Sequence, residues 1–264
     1  MQMIRLGDIN CHYAQQGAAD APAVVFANSL GTDFRLWDQI MPLLPAGLRF
    51  IRYDKRGHGL SDGPKGPYFM GDLVADLAAL MDALKVKDAV VVGLSIGGMI
   101  AQGLAAERPD LVRGLVLSNT GAKIGTPPIW DERMDLVRTG GIEALADGTL
   151  QRWFSSQFHT TRAEELAGFR NMLCRTWVEG YLGCSAAIRD TDLLDSTARL
   201  RLPTLGIAGS EDGSTPPDLV REMTDLIPGA DFTLIRGAGH LPCVEKPEDY
   251  ATLLSDFLNQ IGHL

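Results

Sequence analysis

Six short apolar runs recur along the chain and alternate with segments whose apolar residues repeat at helical spacing. Continuous apolar runs are typical of strands buried on both faces of a parallel sheet, and alternation with helices favours right-handed crossovers. The predicted strands are residues 24–27, 50–54, 90–94, 114–119, 205–209 and 232–235, preceded by an edge hairpin over residues 2–16. The pattern therefore predicts an α/β fold with a mostly parallel, eight-stranded sheet flanked by helices.

Helical spacing of apolar residues predicts the helices that pack on this sheet. The clearest examples are residues 69–84, residues 96–107 and a closing helix over residues 247–261. We also predict a helix after residue 33 that carries Trp37, Ile40 and Leu43.

Between residues 125 and 190 the strand rhythm stops, and helix-like segments rich in large aromatic residues take its place. We interpret this stretch as an inserted helical cap, residues 125–190, over a core made of residues 1–124 and 191–264. Such a cap would cover an active site and exclude water from it. The aromatic residues are Trp130, Trp153, Phe154, Phe158, Phe169 and Trp177.

Composition narrows the classes of function. A net charge of −9 and a pI near 5.0 argue against binding to nucleic acid or to an anionic membrane, since both need clustered Lys and Arg. The first residues lack the apolar region of a signal peptide, and no apolar stretch approaches the roughly 18 residues of a membrane span. The four cysteines form no C-x-x-C pair. We expect a cytoplasmic protein with free thiols, no metal and no membrane partner.

The sequence Gly93-Leu94-Ser95-Ile96-Gly97 fits G-x-S-x-G between a predicted strand and a predicted helix. In this motif the serine sits on a strained turn, and the flanking glycines leave room for neighbouring backbone. Ser95 is therefore the candidate nucleophile. The alternative is a glycine-rich turn with an incidental serine.

Asp212 and His240 each follow a predicted strand, so that serine, aspartate and histidine come in the order Ser…Asp…His at one edge of the sheet. A serine nucleophile needs a histidine to accept its proton and a carboxylate to orient the imidazole. Glu211 is the rival carboxylate. The backbone N–H groups of Leu30 and Ile96 are the candidate oxyanion donors.

His58 lies among glycines in the loop after the second parallel strand. A catalytic role is conceivable for it, but the order of the other candidates leaves no carboxylate to serve it. We expect a turn histidine with a structural or rim role.

Two further motifs carry a resemblance to a known family. Residues 52–61, which begin at Arg52 and contain D-x-R-G-x-G-x-S, look like a stretch of that family, and residues 209–216 are similar to its G-x-x-D-x-x-x-P acid loop, which favours Asp212 over Glu211. With the serine motif, these residues resemble the α/β-hydrolase family over nearly the whole chain. One departure is that Asn28-Ser29 stands where the family has His-Gly before the oxyanion residue.

Within that family, residues 28–33 with Trp37, the turn at residues 93–99 and the length of the cap are similar to the 3-oxoadipate enol-lactonases. The resemblance implies opening of 3-oxoadipate enol-lactone to 3-oxoadipate in the β-ketoadipate pathway of aromatic catabolism, without a cofactor. The small anionic lactone would need a cation for its carboxylate. Arg133 and Arg138 are the candidates, with Trp130 and Trp153 as aromatic contacts.

Other functions remain open from the sequence. Another small-ester hydrolase, a C–C bond hydrolase or a perhydrolase would use the same serine triad, because the fold does not decide the substrate. A small-molecule receptor with an intact triad is a further alternative. The aspartate-dependent dehalogenases and epoxide hydrolases are disfavoured, since residue 95 is serine.

Overall fold

A computed structural model describes all 264 residues. One eight-stranded sheet runs through the molecule in the order β1-β2-β4-β3-β5-β6-β7-β8. The strands are β1 Gln2–Leu6, β2 Ile9–Gln16, β3 Ala23–Ala27, β4 Arg49–Tyr53, β5 Ala89–Leu94, β6 Val112–Ser118, β7 Thr204–Gly209 and β8 Asp231–Ile235. β2 is antiparallel to both of its neighbours, and strands β3 to β8 are parallel. The predicted mostly parallel, eight-stranded sheet is confirmed.

Six helices belong to the connections around the sheet. α1 (Met70–Ala83) packs on α2 (Ile96–Glu107), and α2 lies against β3, β5 and β6, while α9 (Pro217–Asp225) covers β7 and β8. The strands beneath are buried along their whole length from β3 to β7, apart from one half-buried residue in β6. These helices are α1 Met70–Ala83, α2 Ile96–Glu107, α8 Leu194–Thr197, α9 Pro217–Asp225, α10 Pro242–Glu245 and α11 Pro247–Gln260.

Five more helices lie between β6 and β7, in the stretch for which the sequence predicts a cap. We call helices α3 to α7 the helical insertion; they are α3 Pro127–Gly140, α4 Glu143–Trp153, α5 Ser156–Thr161, α6 Ala163–Cys174 and α7 Val178–Arg189. α3 packs on α4 and α7, and α7 also reaches α1 of the core. The division into a core and a cap domain at residues 125 and 190 stays a prediction.

The helix expected after residue 33 does not form, and this prediction is wrong. Two short 3₁₀ segments, Phe34–Trp37 and Met41–Leu43, occupy the stretch instead. Pro42 removes one backbone donor and its ring clashes with a preceding carbonyl of an α-helix, so a continuous helix is costly there. Trp37 and Ile40 are nevertheless fully buried, as their apolar character requires.

None of the eleven helices combines the length and the apolar character needed to cross a bilayer.

Candidate active site

Ser95 sits in a sharp turn between β5 and α2, where its backbone adopts φ 59° and ψ −121°. This conformation is strained for any residue with a side chain, and it persists because the surroundings hold it. A β-carbon at Gly97 would lie 2.0 Å from the carbonyl oxygen of Ala27, so only glycine permits the helix to start so close to β3. The hydroxyl of Thr120 donates to the carbonyl oxygen of Ser95 at 2.6 Å and anchors the turn to the end of β6.

His240 and Asp212 form the buried pair that the sequence predicts. Nδ1 of His240 lies 2.9 Å from Oδ2 of Asp212, and the two side chains are 2% and 0% exposed. The carboxylate also accepts from the Ser214 and Thr215 N–H groups at 2.7 and 3.0 Å and from the Thr215 hydroxyl at 2.7 Å. Burial raises the pKa of Asp212, but the charge of His240 and these hydrogen bonds outweigh it and leave that pKa below its ordinary 3.8.

Asn119, at the end of β6, belongs to the same cluster. Its side-chain amide donates to Oδ2 of Asp212 at 2.9 Å, from a backbone with φ 47°. From the sequence, Asn119 follows a strand at the same edge of the sheet, but as a neutral residue it is a poor substitute for the carboxylate. The structure shows that it supports Asp212 instead. Glu211 has a different partner, because its carboxylate accepts from the Ser156 N–H at 3.4 Å.

A cavity of about 520 Å³ opens beside Ser95 and His240. Its other walls come from the loop after β3, with Leu30, from residues 213–215 of the acid loop, and from the helical insertion, with Trp130 and Trp153. The structure therefore brings the predicted nucleophile, the predicted base and both predicted tryptophans to one cavity. Its size suits a small organic ligand.

Two backbone N–H groups beside Ser95 are free to bind a developing oxyanion. Ile96 opens α2, and the first N–H groups of a helix have no partner within it. Leu30 lines the cavity, and its N–H makes no hydrogen bond within the protein. The assignment of both N–H groups as oxyanion donors stays a prediction.

The arginines of the helical insertion divide into two kinds. Arg133 lines the cavity, its Nε donates to the Tyr181 hydroxyl at 2.8 Å, and its guanidinium lies 5.7 Å from the ring centre of Trp130. Arg138 does not reach the cavity, because it forms an exposed pair with Asp135 at 2.7 Å on the outer face of α3. The expectation that Arg138 contacts substrate is therefore not supported by its position.

Arg152 is a cavity residue that sequence reasoning missed. Its Nη2 lies 3.3 Å from the Thr149 hydroxyl, and Arg133 contacts the same hydroxyl at 3.2 Å. Burial and the charge of Arg133 hold the pKa of Arg152 below its ordinary value. Neither arginine forms an ion pair with a carboxylate, and the one acidic residue on the cavity wall is the exposed Glu132. Two converging, unpaired cations favour an anionic ligand.

The end of α4 is fastened to the loops that carry the catalytic candidates. The carbonyl oxygen of Trp153 accepts the N–H of His240 at 2.8 Å, and that of Arg152 accepts the N–H of Gly213 at 3.2 Å. Glu245 joins the same region by accepting the Gly239 N–H at 2.6 Å and the Ser155 hydroxyl. The helical insertion is thus bonded directly to the site.

His58 is buried and lies beneath the loop after β3, not at the rim of the cavity. Its Nε2 accepts the N–H of Gly31 at 3.0 Å, and Nδ1 lies 3.2 Å from the carbonyl oxygen of Arg56. Burial, together with the nearby charge of Lys55, places the pKa of His58 well below 6.5. The neutral ring therefore supports the loop as a structural residue.

Comparison with known proteins identifies the family of the chain. The family model described as alpha/beta hydrolase fold matches residues 22–175. The chain therefore belongs to the α/β-hydrolase family, and it is a hydrolase of that fold.

The chain is similar to several characterised members. It is 34% identical to 3-oxoadipate enol-lactonase 2 of Acinetobacter baylyi, over 92% of this chain and 91% of that protein. The crystal structure of the enol-lactonase from Burkholderia xenovorans LB400 has a TM-score of 0.95 and 36% identity, covering 98% of this chain and 100% of that one. A thermophilic esterase from Thermogutta terrifontis, described as malate bound, has a TM-score of 0.93 and 26% identity over 99% of both chains.

Proposed function

We propose that the protein hydrolyses 3-oxoadipate enol-lactone to 3-oxoadipate through a serine acyl-enzyme. The observation that carries the proposal is one small cavity in which Ser95 and His240, with Asp212 bonded behind the imidazole, face two arginines without carboxylate partners. The similarity to two enol-lactonases supports the choice of a lactone as the substrate. The place of the reaction in aromatic catabolism and a cytoplasmic location belong to the same proposal.

In the acylation step, the hydroxyl oxygen of Ser95 attacks the lactone carbonyl carbon while His240 accepts the hydroxyl proton. Asp212 holds the Nδ1–H side of the imidazole and stabilises the positive charge that forms. The carbonyl oxygen becomes an oxyanion and accepts from the N–H groups of Leu30 and Ile96. Loss of one such donor typically lowers the rate about 10²–10³-fold.

Collapse of this intermediate breaks the ring C–O bond and leaves an acyl-enzyme with an enolate. His240 returns its proton to the departing fragment, which becomes the ketone after tautomerisation. The same histidine then deprotonates a water molecule that attacks the acyl group, and it gives this proton to the serine oxygen as the acyl–oxygen bond breaks and Ser95 is released. His240 carries the proton in both acylation and deacylation, and no cofactor is required.

The carboxylate of the lactone binds Arg133 and Arg152 in this proposal. Tyr181 and Thr149 hold the two guanidinium groups, so the cation pair is positioned before the ligand arrives. Desolvation makes each cation a stronger partner for an anion than an exposed arginine would be. The unpaired arginines thus favour an anionic lactone over a neutral ester.

The test compares loss of enol-lactone absorbance with hydrolysis of p-nitrophenyl acetate, for the wild-type protein and for Ser95→Ala. We expect rapid lactone turnover, slow ester turnover and loss of nearly all of both in Ser95→Ala, which should fold normally. Retention of more than a few per cent of activity in the variant would exclude Ser95 as the nucleophile. Rapid ester turnover with little lactone turnover would retain the hydrolase and exclude the lactone.

A carboxylesterase that acts on another small anionic ester is the second candidate. The similarity to the malate-bound esterase favours it, and the same two arginines would serve such a substrate.

A further inference from the structure

Two buried side chains from the loop after β4 support the backbone of residues 28–32, which we call the oxyanion loop. Nζ of Lys55 donates to the carbonyl oxygen of Ser29 at 2.6 Å and contacts that of Thr32 at 3.4 Å. His58 accepts the N–H of Gly31 at 3.0 Å. Lys55 is only 2% exposed, and the reaction scheme gives this buried cation no role.

The position of Lys55 matters because of the peptide group that it contacts. The Ser29 carbonyl and the Leu30 N–H belong to one planar trans peptide, so they point in opposite directions. Lys55 binds the carbonyl side below the oxyanion loop. The N–H of Leu30 therefore points away from Lys55, and it is the group without an acceptor in a residue that lines the cavity.

We propose that Lys55 is a positioning residue that orients and polarises the Ser29–Leu30 peptide, so that the Leu30 N–H binds the oxyanion of the transition state. The proposal rests on the proposed function of the site. A cation on the carbonyl oxygen draws electron density from the N–H and makes it a stronger donor. In a buried site this effect is larger than in water, and it requires no rearrangement during the reaction.

The shape of the oxyanion loop has a second source of support. The backbone N–H and the hydroxyl of Thr32 both donate to the Ser29 carbonyl oxygen, at 3.3 and 2.9 Å. His58 holds the next peptide through Gly31. Removal of the lysine charge should therefore leave the loop largely in place, which separates polarisation from folding.

The charge of Lys55 also gives the proposal a pH signature. Burial lowers the pKa of Lys55 to about 8, while the groups that face it are Asp33, Asp54, His58 and Cys184. Burial raises the pKa of Asp54 above 3.8, raises that of Cys184 to about 12 and places that of His58 well below 6.5. Between pH 7 and 10, Lys55 is thus the member of this cluster that loses its charge.

The experiment compares wild type with Lys55→Met and Lys55→Arg, using the enol-lactone, p-nitrophenyl acetate and a trifluoromethyl ketone whose serine adduct carries an oxyanion. For Lys55→Met we expect kcat to fall about 10- to 100-fold with KM within about twofold, which is less than the loss of a whole oxyanion donor. Affinity for the trifluoromethyl ketone should fall by the same factor, because the adduct resembles the transition state. Lys55→Arg keeps the charge and should restore much of kcat.

The pH profile supplies the readout that a merely structural role would not move. Wild-type kcat should decline as pH rises through about 8, Lys55→Met should lack this decline, and Lys55→Arg should shift it upward. Lys87→Met is the matched control, since Lys87 is exposed and precedes the amino end of β5, whereas Ser95 follows its carboxyl end. It should behave as wild type in every assay.

Three results would overturn the proposal. One is a Lys55→Met protein with kcat within about twofold of wild type, and another is a loss confined to KM. The third is an affinity of Lys55→Met for the trifluoromethyl ketone within about twofold of wild type. Where Lys55→Met does not fold, a decline of kcat at the same pH in Lys55→Arg as in wild type overturns the proposal. Failure of the proposed function is distinguishable, because wild type would then not turn over the lactone or Ser95→Ala would remain active.

Discussion

At the scale of single residues, Arg133 and Arg152 differ from Arg138 in what surrounds them. The first two line the cavity and converge on the buried hydroxyl of Thr149, whereas Arg138 pairs with Asp135 at the surface. We expect Arg133→Met and Arg152→Met each to raise KM for the enol-lactone about 10- to 100-fold, since a hydrogen bond to a charged group contributes about 1.5–3 kcal/mol. The neutral p-nitrophenyl acetate should show changes within about threefold.

Arg138→Met is the matched control for this prediction, because it removes the same charge from the same insertion. Its steady-state constants should equal those of wild type for both substrates. If Arg133→Met and Arg152→Met raised KM for the lactone and for the neutral ester by the same factor, the two arginines would not form a binding site for the substrate carboxylate.

The residues of the site differ in how far the sequence could predict them. The sequence could predict Ser95, Asp212 and His240 because each follows a strand. The carboxyl ends of parallel strands meet at one edge of the sheet. The sequence could not predict Arg152 as a cavity residue, since the packing of α4 against the acid loop decides where its side chain points. Lys55 lay within a recognised motif, but only the three-dimensional contact reveals that it bonds to the peptide before Leu30.

At the scale of elements, α7 approaches the loop after β4 by backbone contact. A β-carbon at Gly180 would lie 2.3 Å from the carbonyl oxygen of Gly57 and 2.4 Å from its Cα, and backbone cannot give way as a flexible side chain does. We expect Gly180→Ala to lower the free energy of unfolding by about 1–3 kcal/mol, as overpacking does, and to lower the melting temperature accordingly. Calorimetry or denaturant unfolding measures the change.

Gly168→Ala in α6 is the matched control for the contact between Gly180 and Gly57. Gly168 is also a helical glycine, but a β-carbon there would meet nothing within 4 Å. Without a clash, alanine should stabilise the helix by about 0.5–1 kcal/mol. Equal effects of the two substitutions would show that the contact between Gly180 and Gly57 is not tight.

Sequence patterns predict some of the strands and helices correctly and fail for others. The buried strands and α2 were predicted within two residues, because apolar runs and helical spacing respond directly to burial. The segment after residue 33 failed because Leu36, Trp37 and Ile40 can be buried whether the backbone is an α-helix or two 3₁₀ turns, while Leu43 is exposed. Pro42 disfavours the continuous α-helix, and the spacing of apolar residues gives no information about this effect of proline.

At the scale of the whole molecule, buried histidines couple stability to pH. Burial places the pKa of His58 well below 6.5 and lowers that of His263, so the folded chain keeps these rings neutral. The unfolded chain binds protons at both as pH falls below about 6.5, and the folded chain does not until a lower pH. The contribution of His58 and His263 to the free energy of unfolding should therefore be fully present above pH 6.5 and decline as the pH falls.

His58→Gln tests this coupling, because glutamine can still accept the N–H of Gly31 but does not titrate. Each such histidine contributes a slope of at most about 1.4 kcal/mol per pH unit, so the variant should lose stability toward acid more slowly by up to that amount. Urea unfolding at half-unit intervals from pH 7.5 to 5 measures both slopes. Gly168→Ala, which changes no titratable group, should run parallel to wild type. If His58→Gln also runs parallel to wild type, protons do not couple to folding through the ring beneath the oxyanion loop.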